Sequence, residues 1–281
     1  MTELGVFARV FPAGPAPAVA RAIRGAGFTA TQLNLSAVGR PTLDTGLTED
    51  DAASIGTAFR DAGIRIWGVS GTFNAIHPDV EARRRGVDGC LAVVRRAGAL
   101  GAEVVTLCTG TRDPANMWHA HPDNRSRAAW ADLLRTLDPL LDAARTAGVR
   151  LGIEPEPGNV VADADTAARL FQHYGIDARH LAVVLDPANL LTVDTLPHQE
   201  AVLTEAFDVL GAHVAAVHAK DVVAAGYAAS GCGGMDYPLV LRLHAGLPHP
   251  VPVIAQDLSA EDAPRVVRFL RDAERAAGSS R

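Results

Sequence analysis

Short apolar segments and longer amphipathic segments alternate along the whole chain, and this alternation constrains the fold more than any other feature. The apolar segments are rich in Val, Ile and Leu and predict strands, whereas the segments between them repeat apolar residues with a helical period. Strands are predicted at Leu4–Val10, Ala30–Leu35, Ile64–Val69, Glu103–Cys108, Arg150–Glu154, Leu181–Asp186, His213–His218 and Val251–Gln256. Helices are predicted at Pro17–Ala26, Thr48–Ala62, Asp79–Leu100, Ser126–Ala147, Asp163–Tyr174, Gln199–Leu210, Tyr237–Ala245 and Glu261–Ala277. Strands that alternate with helices favour a parallel sheet.

Eight strand–helix units in 281 residues predict a single (β/α)8 TIM barrel that spans residues 1–281. The length alone would also suit two smaller domains, but no linker rich in Pro, Gly or Ser divides the chain. A doubly wound open sheet would place a glycine-rich turn after the first strand, where this chain has Phe11-Pro-Ala-Gly-Pro-Ala-Pro17. Long loops are expected at 36–47, 109–125 and 219–236, and a frayed tail is expected at Gly278–Arg281.

The composition limits which partners the protein is expected to bind and in which cellular compartment it is expected. The 26 basic and 32 acidic side chains give a net charge of -6, so the chain has no overall positive field for nucleic acid. No apolar run approaches the roughly 18 residues that cross a bilayer. Cys90, Cys108 and Cys232 are odd in number and form no CxxC motif, which is typical of a reducing compartment. The sequence therefore predicts a cytoplasmic protein that binds neither membrane nor nucleic acid.

The last four predicted strands end in polar side chains, namely Glu154, Asp186, His218 and Gln256. Active sites of (β/α)8 barrels lie at the carboxyl ends of the strands, so these four should converge on one side of the barrel mouth. Taken singly, Asp186 could cap a turn before Pro187, and His218 could be a hydrogen-bonded core residue. Together they are the oxygen and nitrogen ligands that a divalent metal with open coordination positions needs.

Four segments near these strand ends resemble a known family. They are Gly152-Ile-Glu-Pro-Glu-Pro-Gly-Asn-Val-Val161, Val184-Leu-Asp-Pro-Ala-Asn-Leu190, His218-Ala-Lys-Asp221 and Gly231-Cys-Gly-Gly-Met-Asp-Tyr237. The chain resembles the xylose isomerase-like barrel superfamily from Phe28 to Leu270, and within it the sugar phosphate isomerases and epimerases related to D-tagatose 3-epimerase. The resemblance implies one divalent metal ion, with Mn²⁺ expected first and Mg²⁺, Co²⁺ or Zn²⁺ also suitable.

The resemblance also implies a ligand set from which this chain departs at one position. The family's ligands fall on Glu154, Asp186 and His218, and a fourth carboxylate falls where this chain has Gln256. In the family's epimerases two metal-bound carboxylates face opposite sides of the substrate's α-carbon, and one removes the proton that the other returns. A glutamine can offer an amide oxygen to a metal but accepts no proton at neutral pH. Weaker metal binding and a single base, Glu154, are therefore expected.

Three further polar residues lie beside the predicted ligands. Lys220 should point the same way as His218 along its strand, where it could stabilise an enolate, move a proton or hold a phosphate. The alternative for Lys220 is a surface salt bridge with Asp221. Glu156 could bind substrate or a ligand, or only shape its loop. Asn189 could bind a substrate hydroxyl, or cap the next helix through an Asx turn.

The loops after the third and fourth strands supply the remaining candidates. Asn74 and His77 could reach the substrate, and Arg112 could hold a carboxylate or phosphate through its bidentate fork. A structural role for Arg112, as a bridge between two loops, is the alternative. Phe73 and Trp118 offer apolar walls that would exclude water from an enediolate.

These residues predict a divalent-metal-dependent isomerase or epimerase of a small sugar or polyol ketone, with or without a phosphate. The reaction would proceed through proton abstraction and an enediolate. A metal-dependent dehydratase or lyase on the same site is the main alternative, because elimination needs only one base. A non-catalytic sugar-binding barrel stays open because of Gln256. The same barrel also occurs in metal-dependent abasic-site endonucleases, against which the acidic charge argues. Barrels of this family often dimerise, so a homodimer is also considered.

Overall fold

The strands close into the predicted barrel. A computed structural model describes residues 1–278, and within that range eight parallel strands pair in the closed order β1-β10-β7-β6-β5-β4-β3-β2. The barrel strands are β1 Leu4–Phe7, β2 Ala30–Leu33, β3 Arg65–Ser70, β4 Val104–Cys108, β5 Arg150–Glu154, β6 Leu181–Leu185, β7 Val214–Ala219 and β10 Val253–Ala255. Two further strands, β8 Asp221–Val223 and β9 Gly226–Ala228, form a separate antiparallel hairpin. The prediction of a (β/α)8 TIM barrel is confirmed.

Helices surround the barrel and return the chain to the start of each strand. They are α1 Ala16–Gly25, α2 Glu49–Asp61, α3 Val80–Leu100, α4 Arg127–Ala147, α5 Ala164–Tyr174, α6 Gln199–Leu210, α7 Tyr237–Ala245 and α8 Ala263–Gly278. Local chemistry sets their ends. The Ser126 hydroxyl accepts the backbone N–H of Ala129 at 3.0 Å where α4 begins, and Gly148, at φ 69°, ends it. No helix among residues 1–278 is long and apolar enough to cross a membrane.

Three details differ from the sequence prediction. The first strand ends at Phe7 rather than Val10, because residues 8–10 form a 3-10 turn that carries the chain away from the barrel. The loop expected at 219–236 contains the β8–β9 hairpin, whose three-residue strands are too short to leave a periodic signal. Gly278, predicted as the start of a frayed tail, is the last residue of α8, and residues 279–281 lie outside the described part.

The apolar core has two layers. Side chains from alternate strand positions fill the inside of the barrel, and Trp67 and Phe7 are the largest of them. Small residues such as Ala182, Ala215 and Ala216 belong to the same buried cluster as these rings. The second layer lies between the strands and the helices. This packed interior leaves only the mouth of the barrel open for a ligand.

Two loops at the mouth are fixed against each other by a close backbone contact. A Cβ on Gly158 would lie 2.1 Å from the carbonyl oxygen of Trp118, so only glycine fits there. Next to it, the Asn159 carboxamide accepts the N–H of Gly110 at 2.7 Å and donates to the Met117 carbonyl at 3.0 Å. These contacts hold the loop after β5 against the loop after β4 and place Trp118 at the rim.

Candidate active site

A cavity of about 600 Å³ opens at the carboxyl ends of the barrel strands. Its polar lining includes Gln32, Thr106, Glu154, Lys220 and Gln256, and its aromatic lining consists of Phe7, Trp118 and Tyr227. Trp118 thus contributes an apolar wall at the rim, with 48% of its surface exposed. This volume accommodates a small molecule such as a monosaccharide.

Three of the predicted ligands meet beside this cavity, where Glu154 lines it and Asp186 and His218 are buried next to Glu154. One donor atom each from Glu154, Asp186 and His218 lies within 4.8 Å of the others. His218 Nδ1 is 3.1 Å from Glu154 Oε1 and 3.8 Å from Asp186 Oδ2. Glu154 ends β5, Asp186 directly follows β6, and His218 lies in β7, so three consecutive strand ends supply the group. Two carboxylates and an imidazole at this spacing fit a divalent metal ion.

Gln32 orients the imidazole of His218. His218 Nε2 donates to Gln32 Oε1 at 3.0 Å, and Gln32 Nε2 in turn donates to Thr106 Oγ1 at 3.0 Å. All three side chains are buried. With Gln32 Oε1 as the acceptor, Nε2–H is the donor, and Nδ1 faces the carboxylates as the ring nitrogen that would bind a metal. Gln32 and Thr106 are not among the residues predicted from the sequence, although a polar residue within a predicted buried strand is itself a signal.

We expect Gln32→Leu to weaken metal binding about 10- to 100-fold, because the leucine leaves His218 Nε2–H without its buried acceptor. Titration of Mn²⁺ by calorimetry measures the change. Gln172→Leu, an identical substitution at an exposed position of α5, should leave the affinity unaltered. Equal affinities for the wild type and Gln32→Leu would show that Gln32 does not orient the ligand.

Gln256 lies where the fourth ligand is predicted. Its Nε2 donates to Asp186 Oδ2 and is 3.4 Å from His218 Nδ1. The carboxamide therefore contacts two of the three grouped residues. Rotation of the amide by half a turn would exchange its two terminal atoms. It would present Oε1, the atom that a metal would bind. Ligation through Gln256 stays a prediction.

Lys220 brings a positive charge into the site. Its Nζ is 3.2 Å from Asp186 Oδ2, and only 6% of its side chain is exposed. Burial alone would lower the pKa of Lys220, but the negative charges of Asp186 and Glu154 raise it above its ordinary value, so the ammonium is charged. The alternative of a surface salt bridge with Asp221 does not describe Lys220, because its side chain is buried and its ammonium pairs with Asp186.

The pKa values of Glu154, the last residue of β5, and of Glu156, in the loop after it, shift in opposite directions. Burial would raise the pKa of Glu154, but the positive charges of His218 and Lys220 outweigh burial and hold it below its ordinary value. Burial, followed by the charge of Glu154, raises the pKa of Glu156 to about 8. Asn189 Nδ2 donates to Glu154 Oε1 at 3.3 Å and to a backbone carbonyl, so it orients Glu154. Neither its predicted contact with substrate nor that of Glu156 is tested by these bonds.

Asn74 and His77 are placed differently from the prediction that they reach the substrate. Asn74 Oδ1 accepts the N–H of Thr111 at 2.9 Å, and its Nδ2 donates to the Thr111 carbonyl, also at 2.9 Å. His77 Nδ1 accepts the N–H of Asp79 where α3 begins. Neither is among the described residues that line the cavity. The reason is that two irregular loops meet here, and their backbone groups take the polar side chains as partners.

Arg112 also serves the loops rather than the cavity. Its guanidinium donates to the Ile76 carbonyl at 3.0 Å and to Asp132 Oδ2 at 2.7 Å. Arg83 reaches the same oxygen at 2.7 Å. Burial would raise the pKa of Asp132, but these two guanidinium groups lower it. The alternative of an arginine that bridges two loops therefore describes Arg112, and the prediction that it binds a substrate anion has no support from its position.

A family model described as the xylose isomerase-like TIM barrel matches residues 20–245. The chain belongs to this family. The match covers the grouped residues at the ends of β5, β6 and β7, and it confirms the resemblance drawn from the sequence. No curated protein sequence shows significant similarity to the chain.

Solved structures of the same fold include enzymes that act on sugars. A 3-keto-D-glucoside 4-epimerase from E. coli is 14% identical, with a TM-score of 0.75 over 97% of this chain and 100% of its own. A D-tagatose 3-epimerase-like protein is 15% identical, with a TM-score of 0.77 over 100% and 99%. A xylose isomerase-like TIM barrel protein from Mycobacterium smegmatis, in complex with magnesium, is 16% identical, with a TM-score of 0.67 over 99% and 98%. Identities this low establish the fold alone.

Proposed function

We propose that this family member is a divalent-metal-dependent isomerase or epimerase of a small sugar or polyol ketone. The observation that carries the proposal is the group of Glu154, Asp186 and His218, which reaches a monosaccharide-sized cavity through Glu154. The sugar epimerases among proteins of this fold support the substrate class. A site built from one carboxylate base, further metal ligands and a buried ammonium suits proton abstraction next to a carbonyl group.

The metal would be held by Glu154, Asp186 and His218, with the amide oxygen of Gln256 as a neutral fourth ligand. When bound, such an ion polarises the carbonyl and neighbouring hydroxyl oxygens of the substrate and so acidifies the proton between them. Mn²⁺ is the first choice for this set of donors, and Mg²⁺, Co²⁺ and Zn²⁺ are the alternatives. The magnesium in the M. smegmatis relative supports a hard divalent ion.

Glu154 acts as the base in this proposal. Its lowered pKa keeps it ionised at neutral pH, and Asn189 fixes the carboxylate by a hydrogen bond. Lys220 supplies a positive charge that stabilises the negative charge developing on the substrate as Glu154 takes the proton. Phe7, Trp118 and Tyr227 line the cavity with aromatic surface that would limit the access of water to the reacting atoms.

Elimination is the second candidate, and Gln256 is the observation that favours it. Inversion of a carbon centre by two opposed bases needs a proton-transferring group at this position, and a carboxamide accepts no proton at neutral pH. A single base can still move a proton between neighbouring carbons, as in isomerisation, or expel a β-hydroxyl, as in a dehydratase. Both reactions begin with the same proton abstraction by Glu154.

The products separate these candidates. Wild-type protein loaded with Mn²⁺ would be incubated with free and phosphorylated ketoses and keto-polyols, and the products resolved by chromatography and mass spectrometry. A new compound of unchanged mass supports an isomerase or epimerase, whereas loss of one water supports a lyase. Tight binding of a sugar without any product would contradict both reactions and leave a sugar-binding barrel.

A further inference from the structure

Lys220 is the sole lysine among the chain's 26 lysines and arginines, and it lies in the candidate active site. Arginine and lysine are not interchangeable, since a guanidinium spreads its charge over a planar fork and an ammonium concentrates it at one point. A point charge must be held in place by its surroundings, because four rotatable bonds connect it to the backbone. The contacts that hold Nζ therefore decide where this charge acts.

Two groups contact the ammonium from different elements. Asp186 Oδ2 lies 3.2 Å from Nζ, and the centre of the Tyr227 ring lies 3.8 Å from it. A cation over an aromatic face is attracted by the negative centre of the ring, and the attraction is strongest where water is excluded. Only 6% of the Lys220 side chain is exposed, so this contact is largely desolvated.

The β8–β9 hairpin delivers the Tyr227 ring to this position. Antiparallel pairing sets Tyr227 opposite Val222. The Asp221 carboxylate fixes the loop that follows by accepting the N–H groups of Gly231 at 3.0 Å and Met235 at 2.9 Å. On the other side, the buried Tyr237 hydroxyl donates to the Lys220 carbonyl at 2.8 Å. Both the lysine backbone and the hairpin are thus anchored independently of the ammonium.

The ring of Tyr227, rather than its hydroxyl, makes the contact. Within residues 1–278 the hydroxyl has no hydrogen-bond partner, and 41% of the residue is exposed at the cavity mouth. The ring therefore covers the ammonium on its solvent side, while Asp186, which is fully buried, holds it from below. Phenylalanine at this position would keep the contact, whereas leucine would fill similar space without an aromatic face.

We propose that Tyr227 is a positioning residue whose aromatic face holds the Lys220 ammonium against Asp186 beside the cavity. The hairpin after β7 is then part of the active site and not a surface connection. The consequence for catalysis depends on the proposed function, in which Lys220 stabilises charge on the substrate. The position of the ammonium can be measured without any substrate.

The single lysine makes the first test selective. Protein labelled with ¹⁵N at the lysine side chain should give one side-chain resonance, and acylation of Lys220 by an N-hydroxysuccinimide ester can be followed by peptide mass spectrometry. In metal-loaded protein, Tyr227→Leu should shift the resonance and accelerate acylation about tenfold, because the cation–π contact and the cover are lost. Tyr227→Phe should match the wild type in both. Tyr174→Leu, at the end of α5, is the matched control for loss of a tyrosine outside the cavity.

Two results would overturn the inference. In the first, Lys220 of the Tyr227→Leu protein is acylated at the wild-type rate and its resonance does not shift. In the second, Tyr227→Phe behaves like Tyr227→Leu, which would assign the role to the hydroxyl.

For the enzyme, Tyr227→Leu should lower kcat about tenfold at unchanged metal content, and Tyr227→Phe should restore most of that loss. If no protein turns over substrate but the difference in labelling remains, the proposed function is contradicted. The contact by which Tyr227 positions Lys220 is then still supported.

Discussion

Glu154→Gln should lower the rate of proton abstraction from the substrate about a thousandfold or more, the range that removal of a general base produces. The glutamine keeps the shape of the side chain and its contact with Asn189, but it accepts no proton. It also removes one negative charge from the group with Asp186 and His218, so metal binding should weaken as well. Turnover must therefore be measured at saturating metal, where the loss of the base is seen alone.

The control for Glu154→Gln is the same substitution on the surface. Glu205→Gln, on the exposed side of α6, should retain wild-type turnover and metal affinity. A Glu154→Gln protein that turns over normally at saturating metal would remove Glu154 from the role of base. Lys220 is a poor replacement for this base, because its raised pKa favours the protonated ammonium.

Gln256→Glu should tighten metal binding about 10- to 100-fold. A carboxylate supplies the negative charge that the amide lacks, and the number of charged ligands sets the affinity of a divalent ion at such sites. Without metal, the substitution should instead lower the stability of the fold, because the present hydrogen bond from Gln256 to Asp186 becomes a repulsion between two carboxylates. The metal-free variant should therefore melt a few degrees below the wild type, and the metal-loaded variant above it.

Calorimetric Mn²⁺ titration and thermal melting with and without metal test both parts of this expectation. Gln172→Glu, on the exposed face of α5, adds the same charge away from the site and should change neither quantity. Unchanged affinity in Gln256→Glu would show that position 256 does not face the metal. The variant also separates the two proposed reactions, because a gain in epimerisation would show that the wild type lacks only a second base.

The fold could be predicted from the sequence because its signal repeats. In each unit an apolar strand segment is followed by a segment whose apolar residues repeat with a helical period. An error at one boundary therefore does not change the predicted architecture. The same regularity located Glu154, Asp186 and His218, since the carboxyl ends of parallel strands meet at one mouth. Lys220 followed from its spacing of two residues from His218.

The contacts between distant loops could not be predicted in this way. Arg112 and Asn74 carry groups that could bind a substrate. In the folded chain these groups donate hydrogen bonds to backbone carbonyls of nearby loops. Gln32 and His218 are 186 positions apart, and no local pattern pairs them. Tyr227 reaches Lys220 through a hairpin too short for a periodic signal. Residues that support the site depend on register and loop geometry, which appear only in the folded chain.

The most direct test of the account is metal-dependent exchange of the substrate's α-proton with solvent. Wild-type protein loaded with Mn²⁺ would be incubated in D₂O with a panel of small ketoses and keto-polyols, and deuterium at the α-carbon followed by NMR. Exchange is expected in at least one compound, and it should be lost on chelation of the metal and in His218→Ala. Stoichiometric metal and tight sugar binding without exchange would contradict proton abstraction, and with it both proposed reactions.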